Sequence, residues 1–409
     1  MKHVLIIGFV WPEPKSSAAG SRMMQLIYAF LSNGYQVTFA SPCQKNENAV
    51  NLSEIDVNQV EIALNSPSFD VFIKELKPSI VMFDRFTMEE QFGWRVVEHC
   101  PDALRILDTE DLHGLRKGRQ QAFKDGKYFS KEYLFNDFSK REIASIYRSD
   151  ISLIISEAEM EILQTEFKID QQLLYYLPFM LDEVSDETKK KLPKFDEREH
   201  FISIGNFLHE PNYNSVLYLK EVLWPLLKKE LPEAELHIYG AYASQRVDQF
   251  HNEKEGFLIK GFASDVNHVM QNAKVCLAPL RFGAGLKGKL IDAMQNGTPC
   301  VTTSVGAEGM FGNLEPNGFT EDSTDAFVEK AVILYNNQNV WTTKQSNGFA
   351  TIKNRFNKKY LESEFIKIVE EHKTNLKVHR SNNFIGMMLH FHTMQSTKFM
   401  SKWIEEKNK

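Results

Sequence analysis

Residues 281–303 read RFGAGLKGKLIDAMQNGTPCVTT and decide how the rest of the chain is interpreted. The apolar run KVCLAPL (274–280) leads into them, and they end on a second apolar run, TPCVTT (298–303). Between the two, Leu290, Ile291 and Met294 fall at helical spacing within KGKLIDAMQNG. Strand, glycine loop, helix and strand at this length make a βαβ unit. Gly283 and Gly285 cost backbone entropy, a cost that makes sense where a backbone must approach something bulky. A helix beginning near Leu286 presents unpaired N–H groups and a positive dipole end, and Lys287 and Lys289 add full charges there. Such a spot predicts a bound anion, and a phosphate above all. On a helix that begins near Leu286 the two lysines point about 200° apart. Lys287, nearer the terminus, is therefore the first candidate ligand and Lys289 the second.

The same alternation runs outward in both directions. HVLIIGF opens the chain as a short, fully covered strand, and RMMQLIYAFLSNGY follows as a helix with Gly34 at its C-cap position. QVTFAS, SIVMFD (79–84), ALRILDTED (103–111), ISLIISEAE (151–159) and LLYYLPFM (173–180) continue as strands with helical segments between them. Past the charged stretch LDEVSDETKKKLPKFDEREH, a second series reads HFISIGNF (200–207), AELHIYG (234–240), FLIKGF (257–262) and the strands at 274–280 and 298–303. NSVLYLKEVLWPLLKKELP is helical, and Pro225 bends or splits it near its middle. The expected fold is α/β, with two Rossmann-like doubly wound domains facing each other across a cleft. Its divisions are residues 1–182, a linker at 183–199, residues 200–371, and a helical tail at 372–409. The tail is expected to pack back over the first domain. The alternative is an amphipathic helix on a membrane surface, with Lys398, Lys402 and Trp403 as its anchors.

Composition excludes several classes. Of the 409 residues, 43% are apolar and 25% charged, the values of an ordinary globular protein. Net charge is −6 without a basic block, which argues against wholesale nucleic-acid binding and makes any anion site local. Cys43, Cys100, Cys276 and Cys300 form no CxxC pair and read as reduced thiols of a cytoplasmic protein. The run Val4 to Trp11 is too short and too charged at its end for a signal peptide, and no stretch approaches the ~20 apolar residues of a membrane span. The Walker pattern G-x-x-x-x-G-K-[ST] is absent, as is G-x-G-x-x-G after the first strand, so neither a P-loop nor a nicotinamide dinucleotide is expected.

The runs GNFLHEPNYNSVLYLKEVLWPLL, PEAELHIYG and GFASDVNHVMQNAKVCLAPLRFGAGLKGKLIDAMQNGTPCVTTSVGAEGM together resemble the C-terminal half of GT-B glycosyltransferases, specifically the retaining family 4-like enzymes. The first domain resembles that family's acceptor domain more loosely, through its opening strand, the loop 11–20 and NGYQVTFAS. The resemblance implies transfer of a sugar from a nucleotide diphosphate sugar to a hydroxyl of a glycan or lipid-linked acceptor, with no required metal. It implies a site in the cleft and a role in bacterial surface polysaccharide synthesis. Peripheral contact with the inner face of the plasma membrane, through the tail, is part of the same expectation. Where the family carries two glutamates eight residues apart, this chain has Ala284 and Asp292. Asp292 is expected at the ribose, and Glu308 in GAEGM is the substitute acid. The loop GNFLHEPNYN, with Gly205 and Asn206, carries only His209 where relatives have Arg and Lys, so Arg281, Lys287 and Lys289 would supply the positive charge. The resemblance also places Phe262 at the base, Gly20 across the diphosphate, and Gly283, Gly285 and Leu286 around the phosphates. His113 of LDTEDLHGLR would touch the donor sugar, and Arg116 is a weaker candidate for the acceptor. With His113, Lys287 and Glu308 form the candidate catalytic set.

Alternative readings of LDTEDLHGLR are a metal site formed by Asp108, Asp111 and His113, or a histidine that serves only the helix end. The implied mechanism is front-face attack by the acceptor hydroxyl, with retention and proton transfer to a phosphate oxygen. The competing functions are a nucleotide-sugar 2-epimerase and a non-catalytic sugar-nucleotide binder.

Overall fold

The computed structural model describes residues 2–408, leaving aside the side chains of residues 393–395. The terminal residues of the outermost expected segments, Met1 and Lys409, lie outside it. Two parallel sheets are present. The first runs β3-β2-β1-β4-β5-β6-β7 and contains β1 (His3–Ile7), β2 (Gln36–Ser41), β3 (Asn58–Glu61), β4 (Ile80–Asp84), β5 (Leu104–Asp108), β6 (Ile151–Ile154) and β7 (Leu174–Tyr176). The second runs β10-β9-β8-β11-β12-β13 and contains β8 (Glu199–Ile204), β9 (Leu236–Tyr239), β10 (Phe257–Gly261), β11 (Ala273–Ala278), β12 (Cys300–Thr302) and β13 (Gly318–Thr320). In both, the chain reverses direction beside the first strand of the sheet, and the switch point opens a crevice at the carboxyl ends of the strands. The central strands are buried on both faces, which is why they read as continuous apolar runs. The short edge strands β3 and β13 are absent from the sequence reading, because NQVE and GFT carry too few apolar residues to show a pattern.

Numbering the helices that bear on the site, α1 (Ala18–Ser32) follows β1 and α2 (Arg85–His99) follows β4. α3 (His113–Lys124), α4 (Asp137–Arg148) and α5 (Glu157–Thr165) complete the set in the first domain. α1 starts earlier than its apolar stripe, because the Ser17 hydroxyl accepts the Gly20 N–H and caps it. Gly34 ends it at φ +76°. In the second domain α6 (Glu210–Tyr218) and α7 (Trp224–Glu230) are separated by a π-helical turn, Leu219–Leu223. The split lies on the N-terminal side of Pro225, whose ring cannot tolerate the carbonyl four residues before it.

α8 (Gly288–Gln295) begins later than the sequence suggests. Lys287 is its N-cap, in extended conformation at φ −95° and ψ 102°, so the opposed directions expected of Lys287 and Lys289 on one helix do not arise. The linker is packed rather than free. Arg198 is buried and donates to Thr298 Oγ1 (2.8 Å) and to the carbonyls of Pro193 and Asn296 (2.9 Å each).

The chain returns to the first domain well before residue 372. After α9 (Gln338–Arg355), Leu181 N–H donates to Phe356 O at 2.7 Å and Lys358 N–H to Leu181 O at 2.9 Å. α10 (Lys358–Thr374) then puts Phe365, Ile366 and Val369 into the core of the first domain, with Phe365 edge-on to Phe30. α11 (Leu376–Asn382) and α12 (Phe384–Lys407) follow along the same domain. Arg380 forks onto Asp150 at 2.7 and 2.8 Å, and Arg95 is held between Asp70, Ser401 and Glu405. Phe384, Phe391, Phe399 and Trp403 face outward and are exposed. Among the described residues no helix is long and apolar enough to cross a membrane.

Candidate active site in the interdomain cleft

The halves meet over a shared apolar floor. Ile155, Phe179 and Leu181 of the first pack with Leu286, Leu290 and Ile291 of the second. Above that floor the glycine loop of 283–288 presses on the first domain. Gly285 has φ +64°, and a Cβ on it would come within 2.8 Å of the Asp111 Cβ, so both its conformation and its neighbour require glycine. A Cβ on Gly288 would come 2.6 Å from the Ala18 Cβ. The N-terminus of α8 therefore abuts the N-terminus of α1, and two positive dipole ends converge on one point of the cleft. Among the described residues, the N–H groups of Leu286, Lys287, Gly288 and Lys289, and of Ala18 and Ala19, donate to no protein acceptor. Gly20, one step into α1, has its N–H taken by Ser17 and packs tightly on the backbone of Glu13.

Lys287 and Lys289 are both buried. Lys287 Nζ donates to the carbonyls of Ala284 (3.1 Å) and Gly285 (2.5 Å), which fixes the ammonium against the loop. Burial pulls the pKa of each lysine down to about 8; Glu308 and Glu159 oppose this at Lys287, and the neighbouring Lys287 adds to it at Lys289. Two ammonium groups held close together, with few counter-charges, make a site that an anion would stabilise. Asp292 lies on α8 beyond Lys289, and burial raises its carboxyl to about 7 against the pull of that lysine. His209, the N-cap of α6, faces the lysines and Arg116 from the loop after β8, and burial lowers its imidazole to about 4.

The first domain contributes the end of β5. His113 is the first residue of α3, its Nε2 is 3.3 Å from Asp111 Oδ1, and its ring lies edge-on to Phe86. Burial brings His113 down to about 3, so the imidazole is neutral. Asp111 is held at about 2 despite burial, because Arg116 (2.9 Å), His113 and His209 surround it. Asp108 is turned away from both, in a two-pronged pair with the buried Arg22. Among the described residues no group of three or more His, Cys, Asp or Glu is arranged to hold a metal ion.

Glu308 forms a two-pronged pair with Arg119 of α3, at 2.7 Å on each side, and Arg119 also donates to Gly283 O at 2.9 Å. This ties the carboxylate across the cleft and holds it ionised. Arg281 lies between the rings of Phe123 and Tyr218, 4.6 Å from each, and donates to Asn214 Oδ1 at 2.8 Å. It is thus part of the contact between domains. Gly205 and Asn206 follow β8. The Asn206 side chain accepts from Leu208 N–H at 2.9 Å, and a side chain at Gly205 would strike Asn212. Phe262 follows β10, and 46% of its surface is exposed.

Residues without a sequence signal complete the arrangement. Glu159 Oε1 accepts N–H bonds from Leu112 (3.1 Å) and, across the cleft, from Gly285 (2.7 Å). Burial raises it to about 7, with Asp111 adding to the effect. Glu142 accepts the N–H groups of His113 and Gly114, and burial raises it to about 8. Arg119 is the third. All three lie within helices whose local pattern is that of an ordinary amphipathic surface, so only their distant partners distinguish them.

Residues 198–337 match the family model described as Glycosyl transferases group 1. A curated relative, an uncharacterized 44.6 kDa protein in the cps region of Klebsiella pneumoniae, is 24% identical over 302 residues, spanning 70% of this chain and 74% of that one. Sucrose-phosphate synthase from Thermosynechococcus elongatus superposes with a TM-score of 0.67 at 15% identity, covering 91% of this chain and 99% of that one. Anabaena HepE in complex with UDP and glucose gives 0.67 at 11%, covering 91% and 100%. S. aureus TarM gives 0.56 at 15% over 73% of this chain, which spans only 57% of TarM. The second half of the chain thus matches the group 1 glycosyl transferase model, and its pair of Rossmann-like domains has the fold of these glycosyltransferase structures.

Proposed function

We propose that the protein is a retaining, family 4-like glycosyltransferase that moves a sugar from a nucleoside diphosphate to a hydroxyl of a glycan or lipid-linked acceptor in surface polysaccharide synthesis. The observation that carries this reading is the meeting of α1 and α8 at Ala18 and Gly288, with unpaired N–H groups and two buried lysines around the contact. Such a cradle suits a diphosphate, whose charge grows as the glycosidic bond breaks; fixed donors aimed at that charge lower the barrier. Asp292 is the ribose ligand, Phe262 marks the base end, and neutral His113 contacts the sugar. The acceptor oxygen attacks the anomeric carbon on the face the diphosphate leaves, and its proton passes to a phosphate oxygen. Glu308, already committed to Arg119, positions the loop rather than carrying a proton.

UDP is the first nucleotide to test, because HepE and TarM were both studied with it. The relative in a cps region supports the polysaccharide setting. Membrane contact, in this reading, is made by the outward apolar face of α12. The test is thermal stabilisation by UDP, GDP, ADP and dTDP, in wild type and Lys287→Ala. A ligand at ~100 Kd adds about 2.7 kcal/mol of stability. One nucleotide should stabilise the wild type, and the variant should lose most of that gain. If no nucleotide stabilises the wild type, the phosphate cradle is refuted. Transfer to added acceptor then separates a transferase from a binder, and a changed sugar without acceptor would indicate an epimerase.

A further inference from the structure

Six residues of the first domain other than glycine (Asp56, Asn65, Lys77, Arg85, Glu110 and Lys168) hold a left-handed backbone conformation, and two of them stand just past central strands. Arg85 follows β4 at φ +69° and Glu110 follows β5 at φ +62°. The strands are neighbours, with Asp84 opposite Asp108 in register, so both strained residues stand at the carboxyl edge of the central sheet. Strain of this kind persists where surroundings impose it, and it collects at ligand sites. The nearby carboxylates have partners of their own, although Asp84 Oδ1 accepts no hydrogen bond. Asp84 accepts the Phe9 N–H at 2.9 Å, and Asp108 is forked onto Arg22.

Arg85 and Glu110 are left over. Among the described residues, the Arg85 guanidinium makes no hydrogen bond; it stands 3.7 Å from Asp84 Oδ1 and over the Phe9 ring, 5.2 Å from its centroid. The Glu110 carboxyl has neither a hydrogen bond nor an ion pair within contact distance. Phe9 and Val10 are exposed beside them. The pair lies beside the anion cradle: a Cβ on Gly285 would come 3.5 Å from the Glu110 backbone carbonyl, and the Arg85 charge is felt by Asp111 and His113. Burial, with Asp108 adding to it, pushes the Glu110 carboxyl well above the usual carboxylate range, so that it can donate as well as accept.

We propose that Phe9, Arg85 and Glu110 form an acceptor subsite for one sugar ring of a glycan, placed beside the cradle that holds the donor. This rests on the glycosyl-transfer reading above. A sugar ring offers neighbouring hydroxyls that accept from the planar fork of Arg85 and exchange hydrogen bonds with Glu110, and a C–H face that lies on Phe9. A phosphate would satisfy Arg85 alone, and an acyl chain neither group.

Saturation-transfer NMR with the methyl glycosides of glucose, galactose and N-acetylglucosamine tests this, with and without UDP, on wild type, Arg85→Gln and Glu110→Ala. At least one glycoside should receive saturation from the wild type, and both variants should weaken that signal about fivefold or more, as expected for loss of a hydrogen bond. The UDP-induced rise in melting temperature should be kept in both. Glu110→Gly, which removes the strain along with the carboxyl, should melt no lower than Glu110→Ala and bind the glycoside no better. The proposal is overturned if no glycoside gives a signal with the wild type, if both variants keep it, or if the variants lose the UDP shift. A wild type that gives no UDP shift refutes the nucleotide reading instead, and the glycoside signal without UDP still decides the subsite.

Discussion

Lys287 and Lys289 titrate near pH 8 because burial strips them of water. Only the protonated lysines attract a phosphate, so nucleotide affinity should fall as pH rises through that value. About an order of magnitude between pH 7 and pH 9, read by calorimetry, is the expected loss. Lys287→Ala should weaken nucleotide binding by ~10–100-fold at pH 7, the worth of a charge-assisted hydrogen bond. Glu159 shifts the other way. Its folded pKa, about 7, lies above that of a free glutamate, so between those values the folded state holds more protons than the unfolded one. The stability it contributes is present in acid and is lost as pH rises toward and through 7. Glu159→Gln keeps an acceptor for the Leu112 and Gly285 N–H groups and does not titrate. Its melting temperature should therefore fall less than that of the wild type between pH 5 and pH 8. Equal slopes would show that Glu159 ionises freely. At this scale the sequence showed the residues that advertise chemistry locally, such as Gly285, Lys287, Asp111 and His113. Glu159, Glu142, Arg119, Arg85 and Glu110 went unread, because their neighbours in the chain say nothing of partners that only folding brings close.

At the scale of elements, α8 was found with its start misplaced near Leu286. The extended backbone of Lys287 follows from the Gly285 turn and from contact with Asp111, neither of which is visible in periodicity. The last helices were legible as helices, and their docking follows from charges that face none of their own neighbours. Asp150 is buried between Arg105 of β5 and Arg380 of α11. Despite its burial, those two guanidinium groups hold its carboxyl far below the usual range. Its contribution is thus present above the normal carboxylate pKa and disappears only in strong acid. Arg380→Ala removes one of the two partners and should cost about 2–3 kcal/mol, somewhat less than a fully broken buried pair. The urea midpoint measures it. A cost near zero would mean that α11 rests on its apolar contacts alone.

The whole molecule is closed by a clamp that bridges the cleft: Arg119 on Glu308 and on the Gly283 carbonyl. Arg119→Ala should let the halves separate, seen in small-angle scattering as a larger radius of gyration for the ligand-free protein, with the melting of each domain little changed. An unchanged radius would place the closing force in the apolar floor around Leu286 and Ile155 instead. By itself the sequence determined two α/β halves, most of the succession of strands and helices along each, and a glycine-lysine loop at the end of β11. These are matters of short-range pattern, since a buried parallel strand and a helix start impose their residue types locally. Only the tertiary structure decided that α1 and α8 meet head to head, that α10 belongs to the first domain, and that Glu308 is spoken for by Arg119. Each of these depends on groups more than a hundred residues apart, and the chain's local propensities carry no record of which distant surface will cover them.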